Sequence, residues 1–394
     1  MAGRRGRGCR CPGPAGLGCR PAGEGSGAVS GSSGRVLVFG LGGTIAMAAT
    51  GSGGAVPEFS PAQLLAAVPG LAATGVEVRA EELRRVPGGS VRLTDLYALA
   101  GVVRERLAAG FGAAVVTQGT DTIEESAYLL DLLHADRAPV VVTGAMRNPS
   151  LAGADGPANL LAAVQVAAAP EARGQGVLVV FNDEIHAARR VRKTHATNPA
   201  TFGSPDGGPL GFVVEGRPQL VNRLPGRTVI PAAAVAAGDG PAGARPVRVA
   251  LVTVTLGDDG GLLAGLADRA DGLVVAAFGA GHVPEWLVEP LAGLADRIPV
   301  VLASRTGAGP VLAATYGFPG SERDLLSRGL VRAGFLGPEK ARILLHALLS
   351  AGADRATITA AFGAAGGHAP ASTWPWPTGF AGGEVGSGYA GSIR

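Results

Sequence analysis

The chain reads as an α/β protein of two doubly wound domains: a larger N-terminal one with a mainly parallel sheet and a smaller, flavodoxin-like C-terminal one. Three observations predict this. Short runs rich in valine, "AAVVT", "PVVVT" and "GVLVVF", lack the polar alternation of a half-exposed strand, so both faces are covered, as in a parallel sheet. Helical segments alternate with these runs, the pattern of successive βαβ units. At 394 residues, 47% hydrophobic and 16% charged, the chain is long enough for two cores and too apolar to be disordered.

In order, the first strand is Arg35 to Phe39, "RVLVF", which runs into the glycine turn "GLGGTIA". An apolar helical stretch around Gln63 to Val68 and another from Thr94 to Ala109 precede the strand Ala113 to Thr117. Then come a helix over Thr122 to Leu133, a strand over Pro139 to Thr143, a helix over Gly156 to Ala168 and a strand over Gly176 to Phe181. A Pro/Gly/Ala-rich segment, 225–246, is the expected linker between domains 35–224 and 247–366. Strands over Val247 to Thr255, Gly272 to Phe278 and Pro299 to Ser304, and a helix over Pro338 to Leu349 with proline in its first turn, build the second domain. Residues 1–34 are expected to be a disordered leader and 367–394 a loose tail.

The net charge of +3 is unevenly placed: residues 1–34 hold five arginines against Glu24, so the leader carries +4 and the remainder −1. This leaves no electrostatic case for a nucleic-acid partner. No apolar run is long enough to span a membrane, and the leader has no apolar signal core, so a cytoplasmic protein is expected. All three cysteines, Cys9, Cys11 and Cys19, sit in the leader, and no histidine spacing suits a metal, so no metal site is expected.

In doubly wound sheets, ligands gather at the carboxyl ends of strands, which selects the loops after Phe39, Thr117 and Thr143. In the first, Gly40 and Gly42 begin a dinucleotide pattern, but Ile45 stands where its third glycine belongs. What remains is Thr44 on a flexible turn, where a hydroxyl can serve as a nucleophile. In the second, Thr120 and Asp121 lie where a strand hands over to a helix; either Asp121 or Thr122 can also be read simply as a helix cap.

Only two of the 34 basic residues are lysines. A cation without a special task would here be written as arginine. Lysine can lose its proton when burial and nearby cations disfavour the charge, and arginine cannot. Lys193, in "RRVRKTHATNPATFGSP", is therefore a candidate base beside Thr120 and Asp121. The other lysine, Lys340, reads as a surface residue, His186 and His195 as ordinary polar loop residues, and His282 as better placed for a site.

Taken together, "GLGGTIA", "TQGTDTIEESAYLL", "PVVVTGAMRNPSLAGADGPANL", "RRVRKTHATNPATFGSPDGGPLG" and "YGFPGSERDLLSRGLVRAGFLGPEKARILL" resemble the bacterial L-asparaginases over about Arg35 to Gly366. The resemblance implies hydrolysis of L-asparagine to L-aspartate and ammonia through a threonine-acyl intermediate, with no cofactor. It implies that Thr44 is the primary nucleophile and that Thr120, Asp121 and Lys193 form a second catalytic group, with Asp121 also binding the substrate's amino group. Ser90 would hold the substrate carboxylate, the Ala145 carbonyl would accept from its amide, and Glu322 would reach substrate across a subunit boundary in a homodimer or homotetramer. Three positions depart from the family pattern, the first being Val91 after Ser90, where Gln is common. The family's better-known members carry a tyrosine in the loop after "GGTIA", whereas Met47 to Ser60 offers only Phe59, and Gln118 replaces a common histidine. The rival readings are a catalytically silent amino-acid-binding protein, and the asparaginase-like subunit of a tRNA-dependent amidotransferase, for whose extra N-terminal domain a 34-residue leader is too short.

Overall fold

The computed structural model describes residues 34–49, 55–224, 226–235 and 245–377. Nearly all of the expected leader, with its three cysteines, lies outside these residues, as do parts of the expected linker, of the tail and of the Met47–Ser60 loop.

Strand β1 (Arg35–Gly42) is buried from Val36 onward, as its apolar run requires. A small antiparallel ribbon, β2 (Met47–Ala49) with β3 (Ala55–Pro57), follows. Helix α1 (Pro61–Ala66) starts sharply at Ser60, whose hydroxyl accepts from the Gln63 amide while the Gln63 side chain accepts from the Ser60 amide. Then come β4 (Glu77–Val86), α2 (Leu93–Ala108), β5 (Ala113–Thr117), α3 (Ile123–Leu133), β6 (Val140–Thr143), α4 (Gly156–Ala168) and β7 (Val177–Phe181).

Beyond β7 the direction reverses. Asn182 and Asp183, with φ of 51° and 61°, make a two-residue turn into β8 (Glu184–Ala187), and after β9 (Arg192–Lys193) and β10 (Phe202–Gly203) a second hairpin joins β11 (Gly211–Val214) to β12 (Arg217–Leu220). The eight-stranded sheet runs β12-β11-β8-β7-β6-β5-β1-β4, parallel from β7 to β4 and antiparallel over the remainder.

In the C-terminal domain, β13 (Val249–Thr253), β14 (Gly272–Ala277), β15 (Val300–Ser304) and β16 (Val331–Arg332) form a parallel sheet in chain order. Helices α5 (Val288–Ala295), α6 (Glu322–Ser327), α7 (Pro338–Ser350) and α8 (Arg355–Ala365) accompany it. One apolar cluster runs through both domains: Leu129 and Leu132 of α3 belong to the same core as Leu344 and Leu348 of α7. A polar contact between Tyr97 Oη and His346 Nδ1, 3.2 Å, lies in the same seam.

Burial extends into the less regular parts of the chain. Within the linker segment, Thr228, Val229 and Ile230 are buried, and the Ile230 amide donates to the Leu132 carbonyl. The described start of the tail is anchored rather than loose: Trp374 is buried, and its indole N–H donates to the Val229 carbonyl at 2.9 Å. An indole in that position gains both apolar burial and a satisfied donor.

Candidate active site

Parallel pairing sets Gly40 of β1, Thr117 of β5 and Thr143 of β6 side by side, so the three selected loops leave the sheet at one level. What brings them together is the absence of side chains. Gly43, at φ 85°, approaches the second loop so closely that a Cβ there would lie 2.1 Å from the Gly119 amide nitrogen. A Cβ on Gly119 would lie 2.5 Å from the Gly88 amide nitrogen, and one on Gly144 would lie 2.5 Å from the Gln118 carbonyl oxygen. Only glycine permits such contacts between backbones. Thr44, Ser90, Thr120 and Ala145 each follow one of these glycines by one or two residues.

Thr44 opens a short 3-10 turn, Thr44–Ala46, and is half-buried. Thr120 and Asp121 lie in a similar turn, Thr120–Thr122, that leads into α3. The capping alternative does not hold: neither Gly119 nor Thr122, the residues at the two helix starts, makes a side-chain cap. Instead the Thr122 hydroxyl donates to the Gly88 carbonyl at 3.0 Å, tying the Ser90 turn to the Thr120 turn. Ser90 is exposed beside it.

Lys193 arrives from the far end of the domain on β9. Its ammonium donates to Thr120 Oγ1 at 2.9 Å and to Asp121 Oδ1 at 2.7 Å. Its side chain is 15% exposed, whereas that of Asp121 is 72% exposed, so the amine faces inward and the carboxylate outward to where a ligand would arrive. Strand β10 holds β9 in place through the pair Phe202 with Lys193, and the Phe202 ring packs on Phe181 at 4.9 Å.

Supporting residues around these groups were not singled out in the sequence. Asp155 accepts from the amides of Met146 and Arg147, and Asn159 donates to the Gly144 carbonyl at 3.1 Å, which fixes the loop bearing Ala145. Asp155 and Asn159 stand four apart in "DGPANL" at a helix start, a legible signal. Gln118 is fully buried and donates to Ser126 Oγ at 3.1 Å.

Glu322 is not part of this cluster. It is 0% exposed, and its carboxylate accepts from the amides of Thr315 and Tyr316, both at 2.9 Å, and stands 3.2 Å from His282 Nε2. Burial alone would raise its pKa, but those backbone donors and the imidazole outweigh it and hold the carboxyl below its ordinary value. Within one chain the two amides and the imidazole fix the orientation of this carboxylate, which retains acceptor capacity for a further donor.

Lys340 corrects the surface reading. It is 3% exposed on α7; its ammonium donates to the Val191 carbonyl and lies 3.4 Å from Glu124 Oε2. Burial lowers its pKa, with Glu124 opposing. Lys340 thus ties the strand approach to Lys193 and the first turn of α3 to the C-terminal domain. His186 is likewise no loop residue: it is fully buried on β8, 3.0 Å from Ser204 Oγ, and burial lowers its pKa to about 4. His195 is an exposed loop residue whose Nδ1 accepts from two backbone amides. Among the described residues no group of three or more His, Cys, Asp or Glu could hold a metal.

The family model "Asparaginase, N-terminal" matches residues 35–225, and "Glutaminase/Asparaginase C-terminal domain" matches 248–362. The chain belongs to the asparaginase family. A probable L-asparaginase of Deinococcus radiodurans is 39% identical over 83% of this chain and 97% of its own length. L-asparaginase 2 of Escherichia coli is 36% identical over 63% of this chain and 69% of its own. Among solved structures, a probable cytoplasmic L-asparaginase from Campylobacter jejuni superposes with a TM-score of 0.73 at 32% identity, covering 83% of this chain and 98% of that one. The two-domain asparaginase architecture, a mixed, largely parallel sheet followed by a separate parallel sheet, is therefore the one adopted here.

Proposed function

We propose that this chain is an L-asparaginase: it hydrolyses L-asparagine to L-aspartate and ammonia. The observation that carries this reading is the Lys193 ammonium within hydrogen-bond distance of both Thr120 Oγ1 and Asp121 Oδ1, beside the turn that presents Thr44.

In this reading Thr44 Oγ attacks the side-chain amide carbon of asparagine. Its proton passes to Thr120 Oγ1, which gives its own to the amine form of Lys193. The backbone N–H groups at the start of α3 stabilise the oxyanion that forms. Collapse breaks the C–N bond, the nitrogen takes up the proton and leaves as ammonia, and Thr44 remains esterified. Water, deprotonated through the same threonine and lysine, then attacks the ester carbon; aspartate departs and Thr44 recovers its proton. The outward carboxylate of Asp121 receives the substrate ammonium, Ser90 the α-carboxylate, and the Ala145 carbonyl the amide N–H; three fixed contacts on a small zwitterion set the geometry of attack. With no loop tyrosine, Thr44 depends on Thr120 and Lys193 for activation. Glu322, oriented by the Thr315 and Tyr316 amides, would reach the substrate of a neighbouring subunit.

Cytoplasmic placement and a homotetramer belong to the same reading. The Campylobacter relative is named a cytoplasmic enzyme, and no helix among the described residues is long and apolar enough to cross a membrane. Light scattering on the purified protein reports the assembly state.

The test is steady-state ammonia release from asparagine, with mass spectrometry of acid-quenched enzyme to find an aspartyl ester on the Thr44 peptide. Ammonia release lost in Thr44→Ala, with fold retained, supports the assignment. Thermal stabilisation by aspartate without any ammonia release would instead mark a silent binding protein.

A further inference from the structure

A cavity of about 500 Å³ lies between the two domains, on the opposite side of β9 from the candidate active site. Consecutive strand residues point to opposite faces. Lys193 therefore reaches Thr120, while Arg192 reaches the cavity, where a Cβ on Gly307 would lie 2.7 Å from its Nη1. Arg189 and Arg190 line the same space.

The charges in this cavity are not balanced within themselves. Its lining holds four cations, Arg189, Arg190, Arg192 and Lys340, against three carboxylates, Glu124, Asp206 and Glu339; Lys340 and Glu124 pair with each other, and Asp206 keeps its charge while accepting from the Gly309 amide at 2.8 Å, which leaves one cation in excess. Among the described residues, none of Arg189, Arg190 and Arg192 makes an ion pair within 4 Å. Burial, and after it the charge of Arg189, lowers the pKa of Arg190, with Asp206 partly offsetting. Helix α7, 13 residues long, begins at the cavity wall with Gly337, which supplies no side-chain cap, so its first amides lack a side-chain acceptor there; Glu339 in the first turn offsets part of that field. An independent sign is Thr228: it lines the cavity, is 2% exposed, and its buried hydroxyl has no hydrogen-bond partner. A buried hydroxyl left unpaired costs stability unless something fills its need.

We infer that this interdomain cavity is a binding site for a phosphate group, held by Arg189, Arg190 and Arg192 with Thr228 and the start of α7. Planar guanidinium groups match the oxygens of a tetrahedral anion better than point charges do. The volume accommodates inorganic phosphate with water or a small phosphomonoester. This site is independent of the asparagine reading, because its test reads binding and not turnover.

The test is calorimetric titration, with thermal unfolding alongside, of the full-length protein with inorganic phosphate and separately with glycerol phosphate, against chloride at matched ionic strength. Saturable binding of either is expected; tighter binding of the ester would identify a phosphorylated metabolite as the source, and tighter binding of the free ion would identify phosphate itself. Arg192→Gln is expected to weaken binding about tenfold or more, and Thr228→Val, which keeps the side-chain volume, several-fold. If Arg192→Gln fails to fold, Thr228→Val alone decides. Phosphate that stabilises no more than chloride, or binds wild type and the folded variants equally, overturns the assignment.

Discussion

Replacing Lys340 by methionine removes a charge while keeping most of the volume, and the structure allows its cost to be worked out. The ammonium is 3% exposed, and its two acceptors, Glu124 Oε2 and the Val191 carbonyl, belong to different segments of the N-terminal domain. Without it the Glu124 carboxylate, itself only 12% exposed, and a buried carbonyl both lose their partner. Breaking one half of a buried pair costs about 3–5 kcal/mol. Relief of lysine desolvation, and the option for Glu124 to take up a proton, bring the net towards the lower end, about 3 kcal/mol. At about 2.1 cal/mol/K per residue, a body of about 330 described residues has an unfolding entropy near 0.7 kcal/mol/K, so Tm should fall by about 4–5 °C. Pairing Lys340→Met with Glu124→Gln should recover at least about 1 kcal/mol, because the orphaned charge is then absent. Differential scanning calorimetry of the two single variants and the double variant reads all of this. A change in Lys340→Met of less than about 0.5 kcal/mol, the range of an ordinary surface substitution, would refute the buried strut.

Other consequences are checked as directly. Gly119→Ala places a methyl 2.5 Å from the Gly88 amide nitrogen and should separate the loops; a displacement near 1 Å at a site of this kind costs about a hundredfold in kcat/KM, with far-UV circular dichroism unchanged. Asp155→Ala removes the acceptor for the Met146 and Arg147 amides and should raise KM for asparagine several-fold by loosening the Ala145 loop, which substrate saturation curves would reveal. Stability should also fall in acid. His186 and His346 are both held neutral by burial, their pKa lowered to about 4, so from about pH 6.5 down to about pH 4 the unfolded chain binds protons that the folded chain does not. Each can contribute up to about 1.4 kcal/mol of lost stability per pH unit in that window. His186→Gln should flatten the slope of Tm against pH; an unchanged slope would mean the imidazole is not held neutral.

Much of the fold was legible because its core strands are continuous apolar runs: β5 spans Ala113–Thr117 and α4 spans Gly156–Ala168, as their sequences indicate. Strand β4 was not, because "EVRAEELRRV" carries charge along its length. It is an edge strand whose charges face outward to partners such as Arg106, 2.8 Å from Glu81. Charged edges protect against unwanted pairing and erase the apolar signal a reader looks for. The antiparallel end of the sheet gives a weaker signal, carried by "ND" after Phe181 and "EG" after Val214, two-residue turns whose residues take positive φ. At the site, the meeting of Lys193 with Thr120 and Asp121 follows from the place of those two residues at a strand's carboxyl end and from a lysine standing amid arginines, a replaceable charge that was not replaced. The same clue holds for Lys340, which nonetheless reads as a surface residue from sequence because its partner Glu124 is 216 positions away and only the packing of α7 against α3 reveals it. For a related reason nothing in "GSERDLL" shows that two backbone amides and His282 orient the Glu322 carboxylate.

The measurement that bears most directly on the central claim is ammonia release from L-asparagine by wild-type protein and Lys193→Arg under identical conditions. The variant keeps the positive charge beside Asp121 but cannot accept the proton that Thr120 must lose. The account predicts turnover in the wild type and a loss of about a hundredfold to ten-thousandfold in the variant, the range for removal of a positioned base. Turnover in Lys193→Arg within a few-fold of wild type would show that the lysine serves only as a charge, and the proposed proton path would fall with it.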